Sequence, residues 1–234
     1  MRAAGSRRAI LLLAMLVGAS LPAAARAELS ARVTLASSYV HRGIEYAGSA
    51  PTWQAGLEYR SSGAFAGLWG ARIDVDDYTG VDGRDRELDY YIGYGRRLAP
   101  GLTLESTLIR YTWHGRSPLN DAWNELQLTA YLGSRWTVTW GVADDWGGWG
   151  ETTRFLEGTL RHPLPAGLVL DVTAGYQFAE RAAGIDYGYA EAGVSAGFEH
   201  LVLRVGHTAV QSRARERFAP LADNRWVVSL TLLR

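Results

Sequence analysis

The chain has 234 residues with 24 basic and 24 acidic side chains, every basic one an arginine, and it has no cysteine. The lack of cysteine excludes disulfide scaffolds, thiolate metal sites and thiol nucleophiles, and a net charge of zero gives no basic footprint for nucleic acid. Hydrophobic residues make up 47% of the chain, too many for a disordered tail, and a mean hydropathy of −0.10 conceals an alternating pattern that decides the class.

Residues 1–27 have the form of a cleaved signal peptide ahead of a single domain at 28–234. Residues 1–8 carry three arginines and no acid, residues 9–21 are an unbroken apolar or small run, and Ala25-Arg26-Ala27 has the small-x-small form cut by signal peptidase. Removing this segment leaves 207 residues with 20 basic and 24 acidic side chains, a net charge of −4. Beyond it no run reaches the ~18 consecutive apolar residues of a membrane helix. Alternation is almost everywhere instead: Leu168, Leu170, Val172, Ala174 and Tyr176 interleave with Val169, Asp171, Thr173, Gly175 and Gln177, as in a strand with one apolar and one wet face.

The same pattern predicts twelve strands, over 29–44, 52–61, 64–75, 86–98, 102–114, 123–133, 136–146, 152–164, 168–179, 187–198, 201–211 and 224–234. Connections after the even-numbered strands are tiny, for example Ser62-Gly63 and Pro165-Ala166-Gly167. Those after the odd-numbered strands are longer, at 45–51, 76–85, 115–122, 147–151, 180–186 and 212–223. An even strand number with strict short and long alternation is the signature of an all-β, up-and-down antiparallel transmembrane barrel, with short periplasmic turns and longer surface loops. The wet faces carry many ionised groups, among them Arg32, Glu58, Arg60 and Glu191, and these require water or mutual pairing, which a lumen supplies. Trp53, Trp69, Trp113, Trp123, Trp136, Trp146 and Trp226, mostly near strand ends, suit interfacial aromatic girdles. The fifth strand resists the pattern. Leu104 and Leu108 share a parity with Arg110, so either a bulge lies near Leu108 or Arg110 sits above the membrane.

Several segments resemble the TorF family of outer-membrane porins. These are Ser38-Tyr39-Val40-His41-Arg42-Gly43-Ile44, Pro51-Thr52-Trp53-Gln54-Ala55-Gly56-Leu57-Glu58-Tyr59, the run from Gly63 to Gly70, and Glu87-Leu88-Asp89-Tyr90-Tyr91-Ile92-Gly93-Tyr94. The resemblance implies an outer-membrane barrel with a channel role and brings no catalytic or ligand residues with it. Two departures stand out. That family usually has an acid where this chain has Ser38, so a partner for Arg42 is missing there. The chain also ends in Leu232-Leu233-Arg234, without the terminal aromatic that the barrel-assembly machinery recognises.

Chemistry is thin. His41, His114, His162, His200 and His207 stand alone without metal-ligand spacing, so neither a metal nor a cofactor is expected. Ser106 and His207 share the lipid-facing parity that an outer-membrane lipid hydrolase would need, but their strands lie too far apart around a barrel to form a dyad, and no catalytic residue is expected. The Gly147-Gly148-Trp149-Gly150 run lacks the helix and Lys-Ser/Thr of a phosphate loop and is a flexible surface loop. What remains is the lumen. The expected lining charges are Arg42, Arg72, Asp74, Glu87, Asp89, Glu125, Glu157, Asp171 and Arg204, with Arg42 placed on the first strand. They are expected to give a narrow outer-membrane channel for small polar or charged solutes, surrounded by outer-membrane lipid. The alternative is that these charges neutralise one another in a closed barrel with a structural or surface-interaction role, since twelve strands fall between filled and open barrels.

Overall fold

A computed structural model describes residues 27–75, 83–115 and 121–234. The expected signal peptide, apart from Ala27, and residues 76–82 and 116–120 of the two expected loops at 76–85 and 115–122 lie outside the described residues. Twelve strands close into one barrel: β1 (Glu28–Ala36), β2 (Thr52–Ser61), β3 (Ala64–Val75), β4 (Arg84–Ala99), β5 (Leu102–Gly115), β6 (Asp121–Leu132), β7 (Trp136–Ala143), β8 (Thr153–Pro163), β9 (Leu168–Phe178), β10 (Tyr187–Phe198), β11 (Leu201–Val210) and β12 (Arg225–Leu233). Each pairs antiparallel with its sequence neighbours, and β1 pairs β12 from Arg32↔Leu233 to Ala36↔Ser229. Beyond that ladder Ala31 and Arg234 exchange backbone hydrogen bonds of 2.8 and 2.9 Å, so the arginine end completes the seam.

The outer face is apolar in the manner of a barrel solvated by lipid. Leu29, Val33, Leu35, Leu68, Ile92, Leu156, Leu230 and Leu232 all lie exposed there. A soluble barrel would bury this set, because leaving that much apolar area in water is costly. Trp53, Trp136 and Trp226 also point outward. Four of the seven expected girdle tryptophans do not: Trp113 and Trp123 are buried in an internal cluster, and Trp69 and Trp146 pack against it. Only closure of the lumen by protein explains aromatics on the wet parity.

Eleven strands fall within three residues of expectation, whereas β1 stops at Ala36 instead of continuing to Ile44. The next segment, residues 37–51, folds into the barrel. Its short ladder joins Val40–His41 to Ile44–Glu45, and Tyr39, Ile44, Tyr46 and Ala47 are buried. Apolar residues on both parities suit a hairpin with protein on every side. β5 keeps an unbroken register with β6 from Leu102 to Trp113, so no bulge intervenes. Arg110 lies outward, donating to Asn124 Oδ1 at 3.3 Å.

Candidate functional site

The hairpin crosses the lumen and is pinned at its tip. Arg42 and Gly43 turn it with φ of 50° and 81°, left-handed values that glycine adopts without a Cβ penalty. At Gly43 a side chain would come within 3.0 Å of both Tyr189 and Val210, so the tip is wedged against β10 and β11. Glu45, 1% exposed, organises the base of the hairpin. It accepts hydrogen bonds from Ser38 Oγ (3.0 Å) and from the Ala47 and Ser49 amides (2.8 and 2.9 Å), and Arg225 lies 3.6 Å away. Ser38, the departure from the TorF pattern, is thus a partner of Glu45.

Arg42 finds its acid on the wall. Its two Nη atoms each donate to one oxygen of Glu125 on β6 at 2.7 Å, and Glu125 is 1% exposed. The same carboxylate accepts from Gln127 Nε2 at 2.7 Å and from the Tyr111 hydroxyl at 3.3 Å. The guanidinium carbon stands 3.4 Å from the Phe155 ring centroid on β8. Phe155 can lie flat because Gly141 on β7 faces it: a Cβ there would collide with the ring. Burial and the adjacent Arg42 push the His41 imidazole down to about 3, against a smaller upward pull from Glu125.

On the long-loop side of this pin the lumen is a dry core. Tyr39 packs on Tyr46 and Trp69, Tyr46 on Trp113, and Trp123 stacks on Tyr111 at 4.9 Å. Phe218, from the loop before β12, joins Tyr187, Trp146 and Trp149 in the same cluster. On the short-turn side the wall is wet. A cavity of about 280 Å³ lies against His41 and Arg42, bounded by Thr139, Glu157, Thr173 and Glu191. Threonine hydroxyls pair between neighbouring strands of this wall, Thr129 with Thr139 and Thr159 with Thr173. Beyond them Arg60 bridges Glu58 and Glu105 at 3.2 and 2.7 Å.

The structure therefore distributes the nine expected lining residues unevenly. Arg42 belongs to the hairpin tip and not to a strand. Arg72 and Asp74 are corrections: they share the outward parity of Leu68 while Ala71, Ile73 and Val75 point in, and they lie 3.6 Å apart at the long-loop rim. Glu87 and Asp89 do face inward, but both are buried within the dry core, at 3% and 6% exposure. Glu125 holds Arg42, and Glu157 accepts from Tyr189 at 2.9 Å. Asp171 pairs with Arg161 at 2.9 Å, and Arg204 pairs with Glu191. The hydrolase dyad does not form, since Ser106 is on β5 and His207, edge-on to Trp226, is on β11. Phe155, Gln127 and Gly141 went unread in the sequence. An aromatic on the wet parity of β8, two residues before Glu157, was the available signal.

These features define a closed twelve-stranded barrel of outer-membrane type with a plugged, partly polar lumen. The chain belongs to a family of bacterial proteins of unknown function, Gcw_chp, whose profile matches residues 21–231. No curated protein matches it in sequence. Among solved structures it is similar to the KdgM porin, with TM-score 0.54 and 9% identity over 87% of this chain and 98% of that one. The KdgM porin in complex with disordered oligogalacturonate gives the same TM-score and identity over 88% and 98%. At this identity the likeness concerns the fold.

Proposed function

We propose that the protein is an outer-membrane channel for small polar or charged solutes, exported by its N-terminal signal peptide and held shut at rest by the hairpin of residues 37–51. The observation that carries this reading is the contrast at Arg42: a water-compatible lumen lined by Thr139, Glu157, Thr173 and Glu191 runs up to a plug made from a loop, not from the wall. A barrel with only a structural role gains nothing from lining a cavity with carboxylates, which are stable only when hydrated or paired. The fold it shares with a porin is consistent with this role, and the resemblance of several of its segments to the TorF pattern adds the same expectation. Outer-membrane lipid and the barrel-assembly machinery are its implied partners.

The burial of Ile44, Tyr46 and Ala47 favours a second reading, a permanently closed barrel whose loops face the surface. Planar-bilayer recording of the wild type and of a variant with residues 38–50 replaced by a short Gly-Ser linker separates the two. A channel gives steady conductance steps in the variant and rare or small ones in the wild type. Silence in both, from correctly folded protein, leaves the closed barrel.

A further inference from the structure

Glu125 and Phe155 have the chemistry of a ligand site, and the chain itself fills it. The carboxylate sits on β6 with both oxygens presented as a fork, oriented by two groups that also belong to the wall, Gln127 and Tyr111. The ring beside it lies flat over Gly141 and offers its face to the same point. Gln127, Tyr111, Phe155 and Gly141 all stand on the barrel wall and not on residues 37–51. What it accepts is defined by shape. A carboxylate fork that takes one N–H on each oxygen, next to an aromatic plane, fits the planar guanidinium group, whereas an ammonium can satisfy it only as a point charge.

We propose that the Glu125–Phe155 site is a binding site for the guanidinium group of a small organic cation, that Arg42 is its tethered occupant, and that such a cation opens the lumen by displacing Arg42. The second half rests on the channel reading above. The cavity next to the site extends the recognition. Glu157 borders it, holds the Tyr189 hydroxyl, and has no cationic partner among the described residues. A solute with a guanidinium at one end for Glu125 and a second positive group at the other for Glu157 is favoured, which singles out agmatine-like cations over anions and neutral sugars. A group held on a short tether competes at an effective concentration of about millimolar, so displacement needs a solute at that level or one whose second contact adds affinity.

The test is chemical rescue, with the cysteine-free chain as a clean background. Full-length Arg42→Ala and Arg42→Ala/Glu125→Gln are refolded in detergent and titrated with ethylguanidinium, agmatine and propylammonium. Ethylguanidinium should raise the thermal midpoint of the single variant and bind it ~10-fold or more tightly than it binds the wild type, where Arg42 competes. Agmatine should bind tighter still, propylammonium more weakly, and the double variant should respond to none. A folded single variant indifferent to all three, or rescued equally by propylammonium, overturns the site. Should that variant fail to fold, Ala47→Cys in the otherwise native chain decides. Its buried thiol should react with maleimide faster in ethylguanidinium than in equal sodium chloride, and an unchanged rate overturns the displacement. Rescue without conductance in any variant would keep the site and end the channel reading. Conductance in the loop-replaced variant without guanidinium binding would do the reverse.

Discussion

The two halves of the lumen are built on the same wall and obey opposite rules. Toward the long loops the inward positions are Trp69, Ile73, Tyr111, Trp113, Trp123 and Tyr187, packed against a hairpin as in the core of a soluble protein. Toward the short turns they are Arg60, Glu105, Thr129, Thr159, Arg161 and Asp171, joined by hydrogen bonds and ion pairs. Charges are therefore worth different amounts in the two halves. Arg42 and Glu125 form an ion pair in dry surroundings, where neither tolerates the loss of the other. Arg161 and Asp171 form one at a wet mouth, where either can fall back on solvent. The comparison assigns the seal to one loop and the solute path to the wall.

The largest effect should follow from Glu125→Ala. Removing one partner of a buried pair leaves the other charge uncompensated, so the variant should lose about 3 to 5 kcal/mol in detergent unfolding, or release its hairpin and become conductive. A variant as stable as the wild type with its plug still in place would break the contrast, because it would mean that the upper half is also wet. Somewhat smaller is the cost of a charge on the outer face. Val172 is 37% exposed there, while Thr173, next to it, bonds Thr159 inside. Val172→Arg should destabilise by ~2 to 4 kcal/mol in bilayer unfolding and Thr173→Arg by far less. Equal sensitivity at both positions would undo the face assignment on which either half is defined.

The pin should also respond to acid. His41 is neutral in the folded hairpin because burial and Arg42 hold its imidazole down at about 3, whereas in the released loop it titrates near its ordinary 6.5. The folded state thus binds fewer protons, and the stability contributed is complete above pH 6.5 and declines as pH falls toward 3. Conductance in bilayers should rise over that window, and His41→Gln should flatten the part of the rise that begins near 6.5. A rise of the same shape in His41→Gln would remove this group from the seal.

Most of the barrel was legible because alternation has a period of two and each turn announces itself. Twelve strands, their order and eleven sets of ends follow from that alone. The failures share one cause. Parity tells which side of the sheet a residue is on, but not whether water or protein fills that side. Residues 37–44 alternate well enough to extend β1, yet Tyr39 and Val40 are both large and adjacent, the mark of a segment enclosed on all sides. Trp113 and Trp123 were assigned to the lipid girdle by their place near strand ends, although each shares a parity with wet positions on its own strand, Thr107 with the first and Glu125 with the second. Arg72 and Asp74 went the other way. They are polar residues on the outer parity, tolerated because they sit at the rim above the apolar band. The site itself was half visible: Glu125 and Glu157 are inward acids by parity alone, but the partnership with Arg42 depends on a loop crossing the lumen, and a ladder pattern carries no information about that.

The smallest expected loss of stability lies at the mouth, and it tests the wet half directly. The Arg161 side chain is 66% exposed and that of Asp171 15%, at a separation of 2.9 Å. Water screens such a pair and the long arginine gives up rotamer freedom to make it, so Arg161→Ala should cost about 0 to 1 kcal/mol in unfolding. Its effect on permeation should be out of proportion to that cost. Any ion leaving a narrow lumen by this end passes Asp171, and once the guanidinium is gone that carboxylate acts on it uncompensated. In the loop-replaced channel, the reversal potential under a salt gradient should therefore move toward the cation potential for Arg161→Ala, back again for Arg161→Ala/Asp171→Asn, and fade at high salt as the Debye length shortens to ~3 Å at 1 M. Large destabilisation with unchanged selectivity would show that this half is packed and dry like the other, and the two-zone description of the lumen would have to be given up.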